Sequence, residues 1–567
     1  MSEIDEEFST RLRAPARAPA IVLGSHDMAG FKRINRVLLG SVACLALASC
    51  DGSDSVASPG EGVVVLPAPT PAPSPSPSPS PSPTSGPAAS CPTGTTDVGV
   101  LANAYRSCRI PTLITSALTL PRAQGVAYEL NGRVDVGVDI GGAGTTPGGQ
   151  SATLTIQPGA VVYANTAEAS NDFLVVNRGS RIVAEGTEQL PIIFTARQNL
   201  TGQNADGSAF TDEAQGLWGG IILAGRAPIS NCNASGVTGG SAQCENVVEG
   251  TTTALYGGAT PTDNSGVLRY VQIRYSGTII SPNNELQGLT TGGVGSGTTI
   301  DHIQVHNSSD DGIEIFGGRH NLRYIALTGV DDDGLDTDVG WQGFAQFVLA
   351  VQRPNNNTTD NYATEIDSNG AEDALPRQRY TLANFTFVST STATNAAIRL
   401  RGGADARFVN GLVTAPNACL NIVAGTTDNG GKSTIRPANA SIEEQGPPVF
   451  NSVLFNCATP YAETTQSGVT VTIDEQRAVF TTGASTGNNE AAGTIVTGGY
   501  LPAGAATTAT PFNPATLNPS GTSFLTNPGF VGAVSGPNDT SFQGWTCNSN
   551  RASFGSASRN CAAAPTT

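Results

Sequence analysis

At 567 residues the chain is long enough for a large core or several domains, yet only 13% of it is charged and 6% aromatic, with 67 Gly and 36 Pro. Such a composition builds few long helices. Lys and Arg number 29 against 46 Asp and Glu, a net charge of −17, and with no basic run to neutralise a phosphate backbone, nucleic acid is excluded as an expected partner.

From Met28 the sequence reads MAGFKRINR, then VLLGSVACLAL, then ASC. Basic residues, an apolar run too short to span a bilayer and small residues before a cysteine make a signal peptide over residues 28–49. Leu47-Ala48-Ser49-Cys50 resembles the bacterial lipobox, which implies that Cys50 carries the lipid at the mature N-terminus and anchors the protein to a membrane. Residues 1–27, with Glu3, Asp5, Glu6 and Glu7, do not fit an export signal, so translation is expected to start at Met28. Residues 50–90 form a tether. Alternating proline over 67–87 favours an extended polyproline II form, and at about 3.1 Å per residue it would hold the folded part several nanometres off a lipid surface.

Eight cysteines follow, in close sequence pairs without CxxC spacing. That pattern predicts an oxidising compartment and, by proximity, the bridges Cys91 with Cys108, Cys232 with Cys244, Cys419 with Cys457, and Cys547 with Cys561.

Past residue 110, short β-rich segments recur between Gly, Asn and Asp. Aligning Leu268, Ile300 and Leu322 superimposes LRYVQIRYS, IDHIQVHNS and LRYIALTGV, each an alternating strand followed by a polar turn. Coils of this kind stack strand on strand around a narrow apolar column. An array of β-sandwiches would also show short alternating strands, but would not keep Gly and Asp at equivalent positions from strand to strand. LTIQPGAVV, RGSRIVAEGTEQLPIIFTA and LWGGIILAGRAPI resemble the opening coils of right-handed parallel β-helix, pectin-lyase-like, surface lipoproteins of Gram-negative bacteria. The resemblance runs from about Leu154 to Arg407. It implies an all-β solenoid, assigned to residues 91–445, and leaves function open, since lyases, hydrolases, epimerases and adhesins share the fold.

Four segments align closely: Gly312-Ile313-Glu314-Ile315-Phe316, Gly334-Leu335-Asp336-Thr337-Asp338, Ala363-Thr364-Glu365-Ile366-Asp367 and Ala397-Ile398-Arg399-Leu400-Arg401. Alternation sends Ile313, Leu335, Thr364 and Ile398 inward. One outward column then reads Glu314, Asp336, Glu365, Arg399, and its neighbour Phe316, Asp338, Asp367, Arg401, with side chains about 4.8 Å apart. Stacked carboxylates at that spacing must be protonated, paired with Arg or bridged by a cation. The turns just before add Asp310 and Asp311, then Asp331, Asp332 and Asp333. Calcium is the expected ion, on Asp310, Asp311, Glu314, Asp333, Asp336 and Asp338, because it accepts six to eight oxygens in loose geometry.

Three readings stand side by side. The ladder is a solvated or calcium-stapled face, with Asp-Asp-Gly making turns in which Gly takes positive φ. Or it binds a ligand through Glu314, Asp338, Glu365, Asp367 and Arg401, with Trp341 and Phe344 offering an aromatic platform. Or it is catalytic. The resemblance implies pectate-lyase-like chemistry with Arg399 or Arg401 as base over calcium, or hydrolysis by Asp332 or Asp333 with Asp336. However, the paired GH and RxK elements typical of polygalacturonases are missing. Trp218 is expected to close the early coils, and His302, Gln304 and His306 to alternate on one face as exposed polar positions.

Residues 446–567 lose the register and are expected to form the last coils and a cap over the open end, stapled by Cys547 and Cys561. The whole predicts a lipid-anchored cell-envelope protein, on the outer membrane and surface-exposed. It is expected to bind an extracellular polymer, glycan or protein partner. The alternatives are a calcium-dependent polysaccharide lyase or glycoside hydrolase, and a structural or adhesive envelope protein.

Overall fold

The computed structural model describes residues 86–567 apart from 168–170, 282–283, 355–360, 369–371 and 426–431. The expected signal peptide, the expected lipidation site Cys50 and the expected tether as far as residue 85 lie outside the described residues.

Apart from an opening antiparallel pair, Thr96–Leu101 with Tyr105–Arg109, the main strands stack in parallel as three ladders. The first runs through Ala117–Leu120, Thr153–Ile156 and Arg181–Glu185, then through the opening halves of Gly266–Arg274, Thr299–His306, Asn321–Thr328, Gln342–Val351 and Arg379–Val388. The second takes Val126–Leu130, Val161–Ala164 and Ile192–Ala196, then the closing halves of the same long strands. The third holds Phe173–Val176, Ile221–Ala224, Leu289–Gly292, Ile313–Phe316, Leu335–Asp338, Thr364–Ile366 and Ala396–Leu400. This is a right-handed parallel β-helix, the fold the alternating segments predict. Leu268, Ile300 and Leu322 stack as aligned, all buried in one continuous apolar core.

A single left-handed residue turns each long strand from the first ladder into the second. Tyr270, His302, Tyr324, Phe347, Asn384, Asn410 and Ser452 share φ between 53° and 63°. A side chain there costs roughly 1–2 kcal/mol, and stacking offsets it. Ring centroids lie 4.3 Å apart for Tyr270 and His302, 4.4 Å for His302 and Tyr324, and 4.7 Å for Tyr324 and Phe347. The bend also breaks strict alternation, so His302, Gln304 and His306 do not form one exposed face. His302 joins the ring stack, Gln304 is buried against the C-terminal segment, and His306 is fully buried between Asp212 and Thr328.

The Asp-Asp-Gly turns differ from the expectation as well. Neither Gly312 nor Gly334 has positive φ; instead a Cβ on Gly312 would lie 2.6 Å from the Gly334 carbonyl, and one on Gly334 2.6 Å from that of Ala363. Glycine is required there by the close approach of successive coils. Trp218 closes the early coils as expected, stacked on Phe194 and donating its indole N–H to Arg274 O at 2.8 Å.

The open end is not covered by the Cys547–Cys561 segment. The helix Ile473–Thr481, started by a capping box of Thr472 and Glu475, drives Phe480 onto Phe450, Phe455 and Tyr461. From Thr510 the chain turns back and runs along the second ladder as a strap. It is held at successive coils by Ser452 Oγ to Thr510 O, Asn410 to Phe512, Gln346 to Thr526, Gln304 to Cys547 and Tyr105 to Pro565. The corner rings exposed by the bend need a cover, and Phe542, Trp545 and Phe554 supply it. All four disulfides form in the pairs that proximity predicts.

Trp545 is wholly buried in this interface. Trp545→Ala is expected to cost about 3–5 kcal/mol and to expose residues 510–567 to limited proteolysis, whereas wild-type resistance of that segment in the variant would show that the strap is held elsewhere.

Candidate functional site

Parallel pairing on the third ladder puts Thr290 under Glu314, then Asp336, Glu365 and Arg399, in that order. Ile313, Leu335, Thr364 and Ile398 point into the helix, and the charged residues between them point out. Lower in the same column stand Val175 and Ile222, so the outer face changes from apolar to acidic partway along.

This outer face is covered. The stretch 226–262, stapled by Cys232–Cys244, packs Ile229, Val248, Ala254 and Tyr256 over Val175, Ile222 and Phe316, and Tyr256 stacks on Phe316 at 5.7 Å. Glu314, Asp338, Glu365 and Asp367 are buried, as are Asp310 and Asp311, while Asp332 and Asp336 keep partial exposure. The covering segments add Glu249 and Glu285, two acids with no ladder register to reveal them. The only sequence signal was a cysteine-stapled insertion ending in Glu245-Asn246-Val247-Val248-Glu249.

Carboxylate oxygens of Asp311, Glu314 and Asp336 lie within 4.8 Å of one another, and so do those of Asp310, Asp311 and Asp332. Calcium takes its oxygens at 2.3–2.6 Å, so ligands on opposite sides of one ion stand about 5 Å apart. The spacing fits. Two further observations bear on the fit: Glu314 Oε2 and Asp338 Oδ1 are buried without a hydrogen-bond partner, and the donor set is all oxygen, which suits a hard cation rather than zinc.

Burial pushes the carboxyls of Asp311, Glu314, Asp336 and Asp338 well above the usual range, and their mutual repulsion adds to it. Burial, then Glu249 and Glu285, raises Asp310 to about 7; burial and Glu285 raise Glu249 to about 7. The arginines sit at the far end of the ladder. Arg401 Nε stands 2.6 Å from Glu365 Oε1 and 2.7 Å from Asp367 Oδ2, contacts set by charge rather than by hydrogen-bond direction. Those carboxylates raise Arg401 above its ordinary value despite its burial. Arg399 lies 3.9 Å from Glu365 Oε2, donates to Tyr362 Oη at 3.0 Å and covers the Tyr362 ring.

Several expected roles change place. Asp333 accepts the Tyr362 N–H, and its own N–H donates to Asp311 Oδ1 at 2.9 Å, so Asp333 ties successive turns together. Asp331 accepts from Gln215. Trp341 is not on a groove wall: it is fully buried in the core beside His320 and Tyr380, its N–H donating to His320 O. Phe344 stands on the first ladder, across a corner from the acids, against Phe524. The misplacement has one cause, since residues just past the ladder turn a corner and face another side of the coil. The aromatic neighbours of the ladder include Tyr256 and Tyr362.

The elevated carboxyls fix the pH response of the ion-free protein. A carboxyl whose pKa is raised on folding contributes stability below its unfolded pKa and loses it as pH rises through the folded value. For Asp310 that window runs from its ordinary 3.8 to about 7, on the order of 4 kcal/mol for this group. Melting in chelator should therefore fall from pH 4 to pH 8, and a flat profile would contradict the buried, unneutralised ladder.

The description "Pectate-lyase like beta helix domain" belongs to a family whose model matches residues 143–498, over half of the chain. No curated protein and no solved structure matches it.

Proposed function

The chain belongs to the pectate-lyase-like β-helix family, and from that premise we propose that it is a calcium-loaded, lipid-anchored protein of the bacterial cell envelope that binds an extracellular polymer, glycan or partner protein. The observation that carries the calcium reading is the pair of buried, unpartnered carboxylate oxygens, Glu314 Oε2 and Asp338 Oδ1, beside the close set of Asp311, Glu314 and Asp336. A divalent cation there offsets the repulsion and turns five carboxylates, Asp310, Asp311, Asp332, Glu314 and Asp336, into one rigid site. Asp336 and Arg401 are only partly covered, so a partner can approach this face of the helix.

Binding is favoured over turnover because the arginines are committed. Arg401 is held charged by Glu365 and Asp367, and Arg399 is engaged with Tyr362 and Glu365, so neither is free to take a proton from a sugar. The four disulfides accord with an oxidising compartment outside the cytoplasm, and the Leu47-Ala48-Ser49-Cys50 lipobox with anchoring there.

Two tests follow. With acidic and neutral polysaccharides and calcium present, neither unsaturated-product absorbance nor new reducing ends should appear; either signal, if it vanished in Asp336→Asn, would move the protein to the lyases or hydrolases. Cys50→Ser should yield an unprocessed or soluble exported form, and normal processing with membrane fractionation in that variant would remove the lipid anchor.

A further inference from the structure

On the first ladder, away from the acidic column, strand pairing sets Arg379 over Asp405 and Thr381 over Arg407. These residues line a cavity of about 120 Å³ closed by Gln445 and the turn Gly446–Pro447. That is roughly four waters' share of liquid volume, room for one oxyanion and its water.

Asp405 lines the cavity with Arg379 and Arg407, but its carboxylate is engaged, accepting the Gln445 N–H at 2.9 Å and facing Arg377 Nε at 3.5 Å. Among the described residues Arg407 has no ion-pair partner, and burial alone acts on its guanidinium. Arg379 has Glu443 at 3.9 Å, half exposed, and its Nε is buried without a hydrogen bond. Burial and then the charge of Arg379 draw nearby Arg319 down to about 10. Arg178, Arg226, Arg401 and Arg436 have carboxylates at 3.0 Å or closer; Arg407 is among several arginines without one in the described residues, and it is the one that shares a cavity with Arg379. An arginine fork left without a counter-ion, beside a second one with a buried free N–H, is a receptor for a planar or tetrahedral oxyanion.

We infer that this cavity is an anion-binding subsite, in which Arg379 and Arg407 grip a single carboxylate or phosphate group, free or carried on a sugar. The site shares no residue with the acidic ladder and does not depend on calcium there.

The test uses the mature chain, residues 50–567, in calcium-containing buffer of low ionic strength, titrated calorimetrically with inorganic phosphate, with galacturonate and with uncharged galactose. At least one anion should bind at one site per chain while galactose does not, and whichever anion binds more tightly identifies the group. Arg407→Gln and Arg379→Gln should each weaken binding at least about tenfold, Arg407→Lys less, and added salt should weaken it in the wild type. Arg181→Gln, at an exposed arginine outside both sites, should leave it unchanged. If Arg407→Gln fails to fold, Arg379→Gln decides. Absence of binding by both anions, equal binding of galactose, or wild-type affinity in a folded Gln variant would each overturn the assignment.

Discussion

Hydrogen bonding between parallel coils holds each residue about 4.8 Å above its counterpart in the coil below, so that sequence neighbours separated by a whole coil become side-chain neighbours. Everything else in this protein answers to that spacing. Where the column is Leu268, Ile300 and Leu322, repetition builds a core; where it is Tyr270, His302, Tyr324 and Phe347, it builds a ring stack that offsets the strain of left-handed corners. Where it is Glu314, Asp336 and Glu365, repetition builds repulsion.

Burial of most of these acids limits what water can do to relieve that repulsion, and the stapled stretch 226–262 covers the neighbouring apolar part of the same face. The molecule resolves it in two ways along one column. Toward the C-terminal coils Arg399 and Arg401 replace the acids and neutralise Glu365 and Asp367. Toward the N-terminal side Asp310, Asp311, Glu314 and Asp336 gather with no arginine among them, so protonation or the calcium proposed above must lower their charge. A calcium-filled ladder would tie successive coils together along this face.

The stacking register was legible in the sequence because tight coils repeat with little insertion: the alignment of Glu314, Asp336, Glu365 and Arg399 is the pairing observed. Proximity likewise gave the four disulfides. What periodicity does not encode is which way a residue faces once the chain has turned a corner, so Trp341 and Phe344, adjacent to the acids in sequence, end in the core and on another ladder. Nor does it encode what irregular segments cover. The burial of the ladder by 226–262, the acids Glu249 and Glu285, and the strap that carries Trp545 back along the second ladder all come from loops without a repeat. The glycines of the Asp-Asp-Gly turns were recognisable as necessary, but for the close approach of coils and not for backbone sign.

The proposed divalent ion in the acidic nest is open to direct test. Its most direct measurement is the calcium content of the folded mature chain at neutral pH, by equilibrium dialysis with atomic absorption, in the wild type and in Glu314→Gln and Asp336→Asn. At least one calcium retained per chain and lost in both variants is the predicted result. A wild-type protein that folds at neutral pH with no bound calcium, or variants that retain it in full, would contradict the claim.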